Sequence, residues 1–288
     1  MTNVLLEISG DVNRYLNLDE LTALSTISTN TLFRGLNNME FYRFIPKENG
    51  EEILRKLKNK EEVKLSDIKA SSNLNFVCDY GLTPLHWAIE KNNTEIAKLL
   101  INVGADVNVA NYNKDTPLHW AVGRNNIEIV KLLIKEGNNN YESSPHNCSP
   151  WRTIADVDAT DNKGRTPFHW VVRSNYIEIV KLLIKEGADV DAVDNEGKTP
   201  IYSAVRYNNT EIAKLLIKEG ADVNLGNIYG RTPLHWAAGN NNIEIVKLLI
   251  KEGADVNVAN KEGETPLSQS VEYNNVKMIE LLKRAGAS

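Results

Sequence analysis

The chain has 288 residues, with 33 Lys and Arg against 38 Asp and Glu, a formal charge of −5 and a sequence pI near 5.7. That balance excludes a broadly basic nucleic-acid surface, and no apolar run reaches the ~18 residues that cross a bilayer. Two cysteines, Cys78 and Cys148, make no disulfide framework and read as free thiols in a reducing compartment. The N-terminus lacks a basic segment followed by an apolar core, so a cytoplasmic location is expected.

Residues 1–45 do not repeat. Leu5, Ile8, Val12, Tyr15 and Leu16 fall on one face of a helix. Asn17 with Glu20 three places on has the pattern of a capping box, opening a second helix that carries Leu18, Leu21, Leu24 and Ile27. Leu32, Phe33, Leu36, Phe41, Phe44 and Ile45 suggest a third helical or irregular segment. So small a unit with this much apolar surface needs something to pack against. Residues 46–76 read as a degenerate repeat, with helices expected at Glu51–Leu57 and Glu62–Ile68. Ser66 and Asp67 stand where the next copy has Leu99 and Leu100, which suits a polar cap on the end of an array.

From residue 77 onward one unit recurs. Thr83-Pro-Leu-His-Trp-Ala88, Thr116-Pro-Leu-His-Trp-Ala121 and Thr232-Pro-Leu-His-Trp-Ala237 match in full, and Thr166-Pro-Phe-His-Trp-Val171 nearly does. Thr199-Pro-Ile-Tyr-Ser-Ala204 and Thr265-Pro-Leu-Ser-Gln-Ser270 are worn copies. The Thr positions step by 33, except for one step of 50 that contains an insert at 138–154. A fixed period decides the architecture before any single residue does. Each Thr is a good helix N-cap, and each Pro suits the first helical position. The second helix, Asn242–Glu252 in the fifth copy, stops at Gly253, a residue suited to the left-handed C′ position. The polar stretch Ala254–Gly263 is hairpin-like. Ile129, Val130, Leu132, Leu133 and Ile134 are expected core. One unit cannot bury its own apolar face, whereas stacked units can.

This pattern, over residues 77–288, resembles the ankyrin repeat family. The resemblance implies an all-α solenoid of six helix-turn-helix-hairpin units behind a small helical N-terminal domain, acting as a protein–protein interaction scaffold. It also implies that the residue before each Thr and those seven and eight after it face a concave groove. The central copies place Arg165, Arg173, Lys198, Arg206 and Arg231 there, with Arg124, Tyr207 and Tyr229 beside them. A basic, aromatic-interleaved centre on an acidic chain is suited to a protein partner with an acidic patch. The insert, with Tyr141, Pro145, His146, Cys148, Pro150 and Trp151, reads either as a tolerated surface loop or as a contact loop.

No constellation suggests chemistry. His86, His119, His169 and His235 hold one position of the repeat. Neighbouring helices pack ~8–10 Å apart, too far for equivalent imidazoles to share an ion whose ligands sit about 2 Å away; they read as side chains bonding backbone near their own turn. The Trp beside each reads as core or inter-repeat packing. No phosphate-cradling glycine loop, zinc-protease helix or nucleophile elbow is present. The expectation is no enzyme, no catalytic residue, no cofactor and no metal.

Residues 4–27 resemble an F-box in the spacing of Leu5, Leu6, Ile8, Val12, Leu16, Leu21 and Leu24, although Leu5 stands where that family has Pro. The resemblance implies docking of the Skp adaptor of a Skp–cullin–F-box ubiquitin ligase, with the repeat groove holding the substrate. The alternative is a plain ankyrin module whose N-terminal helices only cap the solenoid. Near-identical repeats rich in Asn, Lys and Ile resemble those of host-associated bacteria, which would place such a protein in a host cytoplasm as an effector.

Overall fold

A computed structural model describes residues 4–7, 13–16, 55–56, 74–135 and 154–288 of the chain. From Pro84 onward the described residues hold twelve α-helices in six antiparallel pairs. These are α1 (Pro84–Glu90) with α2 (Thr94–Asn102), α3 (Pro117–Gly123) with α4 (Ile127–Lys135), and α5 (Pro167–Ser174) with α6 (Ile177–Lys185). They continue with α7 (Pro200–Arg206) and α8 (Thr210–Lys218), α9 (Pro233–Gly239) and α10 (Ile243–Lys251), and α11 (Pro266–Glu272) and α12 (Val276–Arg284). First helices pack on first helices, second on second, and each first helix on its own second helix. The result is a two-layered helical solenoid, as expected.

The local chemistry explains each boundary. Every first helix follows an extended Thr N-cap and opens on Pro. The turn between the two helices is made by Asn92, Asn125, Asn175, Asn208, Asn241 and Asn274, all left-handed with φ of 54–60°. Asn is the non-glycine residue that reaches this region most readily, because its short amide bonds locally. Five of the second helices end at glycines with φ of 86–100°, namely Gly104, Gly187, Gly220, Gly253 and Gly286, where no Cβ penalty arises. A finger-like loop then leads to the next Thr.

One continuous apolar core runs from Leu85 to Leu282. Leu85, Leu118, Phe168, Ile201 and Leu234 come from the first helices and are fully buried, while Ile129, Val130, Leu132, Leu133 and Ile134 of α4 are all buried. Each such side chain contributes about 1.5–3 kcal/mol on burial. Successive fingers are also stitched by backbone: Asn195 N–H donates to Lys163 O (2.9 Å), Ile228 N–H to Glu196 O (2.9 Å) and Lys261 N–H to Tyr229 O (2.9 Å). A second ladder has the carboxylate or carboxamide oxygens of Asp158, Asp191 and Asn224 accepting from the backbone N–H of Asp189, Asp222 and Asp255, each one unit further on.

The long step between the second and third units leaves this register intact. Ala155 N–H donates to Leu133 O (3.1 Å), the same bond that Ala105 makes to Leu100 (2.9 Å) and Ala188 to Leu183 (3.0 Å). Asp156 N–H reaches Asn108 Oδ1 (2.9 Å), as in the ladder elsewhere. The chain therefore rejoins the stack where an uninterrupted unit would. Residues 138–153, with the aromatic, Cys and His residues of the insert, lie outside the described residues.

The N-terminal reading needs correction. Val4–Glu7 (β1) and Asn13–Leu16 (β2) are antiparallel strands, with Leu5 opposite Tyr15 and Leu6 opposite Arg14, where a helix was expected. Apolar residues at short range fit both periods. The run Ser9-Gly10-Asp11 between the two segments is turn-forming, and turn residues flanked by apolar runs are a hairpin signal. Ile8, Val12, Leu21 and Leu24 lie outside the described residues, as does most of 46–76.

Close approach of the fingers makes a specific demand. Gly164 has φ of +70°, and a Cβ there would lie 2.8 Å from the backbone N of Asn195, whereas a Cβ on Gly187, at φ +87°, would meet nothing within 4 Å. Gly187→Ala is expected to cost only the left-handed strain, roughly 1–2 kcal/mol. Gly164→Ala adds a steric term, so its melting temperature is expected to fall below that of Gly187→Ala in thermal unfolding.

Candidate functional site

The repeated His joins one unit to the next. In four units Nδ1 accepts from the backbone N–H of the capping Thr: Thr83 to His86 (3.3 Å), Thr116 to His119 (3.2 Å), Thr166 to His169 (3.2 Å) and Thr232 to His235 (3.1 Å). The Thr hydroxyl lies 2.9–3.0 Å from the same nitrogen. With Nδ1 an acceptor, the proton must sit on Nε2. That N–H donates across to the following finger: His86 to Asp115 O (3.2 Å), His119 to Arg165 O (3.0 Å), His169 to Lys198 O (3.0 Å) and His235 to Glu264 O (3.1 Å). Bonding near the own turn was expected; the bond to the next unit was not. The His119 bond spans the long insert, so the bridge survives it.

A second ladder is aromatic. An indole of the following unit stands edge-on to His86 (Trp120, 5.8 Å), to His119 (Trp170, 5.5 Å) and to Tyr202 (Trp236, 5.9 Å). At His169 the series is interrupted, because the next unit carries Ser203 where four of the six carry Trp, and His235 meets Gln269 at that position. Tyr202 replaces His in that unit. It is fully buried, its hydroxyl accepts from Asn227 Nδ2 (3.0 Å), and burial raises its phenol.

A recess of about 460 Å³ opens where the indole is missing, between α5, α7 and two fingers, with His169, Trp170 and Ser203 in its wall. Of the eight groove residues expected from the sequence, Arg165, Arg173, Lys198, Arg206 and Tyr207 line it. Arg124, Tyr229 and Arg231 do not. Arg124 pairs with Glu90, Arg231 with Glu262 (3.0 Å) and Glu264 (2.9 Å), and Tyr229 is exposed at a finger tip. Sequence reasoning missed Lys163, Trp170 and Ser203; the signal for them was the loss of Trp in the worn fourth copy.

The lining cations are not equivalent. Arg165 is bound to Asp161 (2.7 Å) and lies over Trp170 (5.0 Å), and Lys198 is bound to Glu196 (2.6 Å). Arg173 and Arg206 make no ion pair among the described residues. They flank Tyr207, at 5.4 and 5.8 Å from its ring, and Arg206 also lies 4.8 Å from Trp236. The Lys198 hydrogen bond holds Glu196 below the usual carboxylate range, helped by the charges of Arg206 and Lys163. Asp161 feels burial, which pushes its carboxyl up, but bonds from Arg165 and Lys163 outweigh it and leave it low. Such an arrangement can hold an anion. Among the described residues no cluster of His, Cys, Asp and Glu is suited to a metal ion, and no helix is long and apolar enough to cross a membrane.

The profile of the family described as "Ankyrin repeats (3 copies)" matches residues 47–144, 147–227 and 219–288. The chain belongs to the ankyrin repeat family. Among solved structures it is similar to the ankyrin repeat domain of Bcl-3, described as a unique member of the IkappaB protein family. The TM-score is 0.62 at 26% identity, covering 81% of this chain and 91% of that one. An ankyrin repeat protein of Rickettsia bellii (strain RML369-C) is 46% identical over 68 residues, 23% of this chain and 37% of the relative. The matched stretch thus spans little more than a third of that relative's length. Ankyrin repeats are protein–protein interaction modules, and the six units here form one.

Two outcomes follow from the buried groups. Burial drives His86 from 6.5 to about 4 and lowers His119, His169 and His235 as well. The unfolded chain therefore binds more protons than the folded one below pH 6.5. Stability is expected to be fully present above that value and to fall as pH drops towards 4, by up to about 1.4 kcal/mol per pH unit per histidine, read as melting temperature against pH. Asp161 accepts from Lys163 N–H, Arg165 N–H, Arg165 Nε and Trp170 Nε1. Asp161→Ala should cost about 1–3 kcal/mol in denaturant unfolding, and Asp161→Asn less, because an amide oxygen can still accept the two backbone donors.

Proposed function

We propose that the chain is a binding scaffold that holds a protein partner through an acidic segment seated on the face formed by the fingers and first helices. The observation that carries this is the convergence of Arg173, Arg206, Arg165, Lys198 and Lys163 on one recess in a chain of net charge −5. A local field opposite in sign to the whole selects an oppositely charged partner and steers its approach. The scaffold itself performs no reaction in this reading. The Rickettsia relative supports a second element of the proposal, that the protein acts as an effector in the cytoplasm of a host cell.

A finer role, as substrate adaptor of a Skp–cullin–F-box ligase, is supported by the apolar spacing of Leu5, Leu6, Ile8, Val12 and Leu16 alone. The pairing of β1 with β2 weighs against it, because that resemblance calls for a helix. Co-purification with the Skp adaptor, lost in Ile8→Asp/Leu16→Asp, is what the adaptor role requires. Its absence leaves the plain ankyrin module.

The scaffold reading is tested with immobilised chain and host-cell lysate. Arg173→Glu/Arg206→Glu is expected to lose its partner, with affinity down about tenfold or more. Lys131→Glu/Lys247→Glu, exposed on second helices, should retain it. Binding should also weaken with salt. Equal capture by both variants would contradict the assignment of this face.

A further inference from the structure

We propose that the recess at Ser203 is the seat of a single doubly charged group, a phosphorylated side chain of the partner, rather than of a run of carboxylates. This rests on the acidic-partner reading above and names its chemistry. The recess is a local departure from a regular pattern. His169 meets no indole, because Ser203 stands at the position of Trp120, Trp170 and Trp236, and the volume is lined by that Ser. The units on either side keep their aromatic contacts, so the void is confined to one place.

Cations reach that place from both first helices and both fingers. Carboxylates held in a row call for a stripe of cations, whereas a phosphomonoester, with about two charges on three oxygens, calls for cations gathered round a point. Arg173 and Arg206 lie over the ring of Tyr207, at 5.4 and 5.8 Å. Stacking pre-orients a guanidinium and leaves its N–H edge free for bidentate bonding to phosphate. The two carboxylates in the lining are already engaged: Asp194 accepts from the backbone N–H of Glu196 (2.8 Å) and Lys198 (2.9 Å), and Glu196 binds Lys198.

The test uses the full chain and three degenerate peptide pools that differ only at a fixed central residue, phosphoserine, glutamate or serine, in fluorescence polarisation. The phosphoserine pool is expected to bind at least about tenfold more tightly than the glutamate pool. Arg173→Gln/Arg206→Gln should remove that preference. Ser203→Trp should remove it as well, while melting at or above the wild-type temperature because it restores the indole on His169. Equal binding of the phosphoserine and glutamate pools, lost in Arg173→Gln/Arg206→Gln, would overturn the phosphate assignment and leave the acidic-partner reading standing. No pool binding better than serine would overturn both. A phosphoserine preference that survives Ser203→Trp would show that the recess is not the seat. Displacement of the pool by 5′-AMP at equal concentration would assign the recess to a nucleotide and overturn the proposal.

Discussion

A neutral imidazole, held between the cap of its own helix and a carbonyl of the next unit, is the contact on which the rest depends. Nδ1 takes the Thr N–H, which fixes the proton on Nε2, and Nε2–H then donates to a carbonyl of the next finger that also accepts the backbone N–H closing that finger, as Arg165 O accepts from Asp161 N–H. One side chain thus sets the start of a helix and the spacing to the next finger together. Its burial opposes protonation, so the bridge works only as the neutral tautomer. Four copies of a bond between nearest neighbours suit a solenoid, in which stability is a sum over units and their interfaces. The same bond explains why an insert is tolerated: the His119 bridge to Arg165 and the Ala155 bond to Leu133 restore the register on the far side of it.

Where the pattern lapses, the consequences differ by position. In the sixth unit Ser268 and Gln269 replace His and Trp, and Val271, whose equivalents Val205 and Ala238 are buried, is more than half exposed. Ser268 is exposed there, whereas Gln269 is buried and its amide donates to Glu264 (3.4 Å). In the fourth unit the lapse is internal. Tyr202 keeps the aromatic contact to Trp236, but Ser203 leaves a gap against His169. Around that gap stand Arg173 and Arg206, which make no ion pair among the described residues.

Much of this was legible in the chain. The 33-residue period, the Thr-Pro pair at each helix start, Gly253 at a helix end and the buried face of α4 all follow from local rules that the tertiary structure reinforces. Residues 4–16 were misread because Leu5, Ile8, Val12 and Leu16 satisfy a helical face while Val4–Glu7 and Asn13–Leu16 also satisfy paired strands. Spacing alone does not separate the two periods over so short a run. The recess was half legible. Arg165, Arg173, Lys198, Arg206 and Tyr207 could be named from repeat position, but position does not reveal that Arg124 and Arg231 are taken up by Glu90, Glu262 and Glu264. Nor did it show that the worn copy at Thr199–Ala204 opens a cavity, since a missing indole is seen only against the imidazole it would have met.

The most direct test of the bridging account is the ¹⁵N chemical shift of the imidazole nitrogens of His86, His119, His169 and His235 as pH is lowered. The account predicts a neutral ring protonated at Nε2 in all four, with each midpoint below the ordinary value of 6.5 and that of His86 near 4. Rings protonated at Nδ1, or midpoints at or above 6.5 in the folded protein, would contradict it.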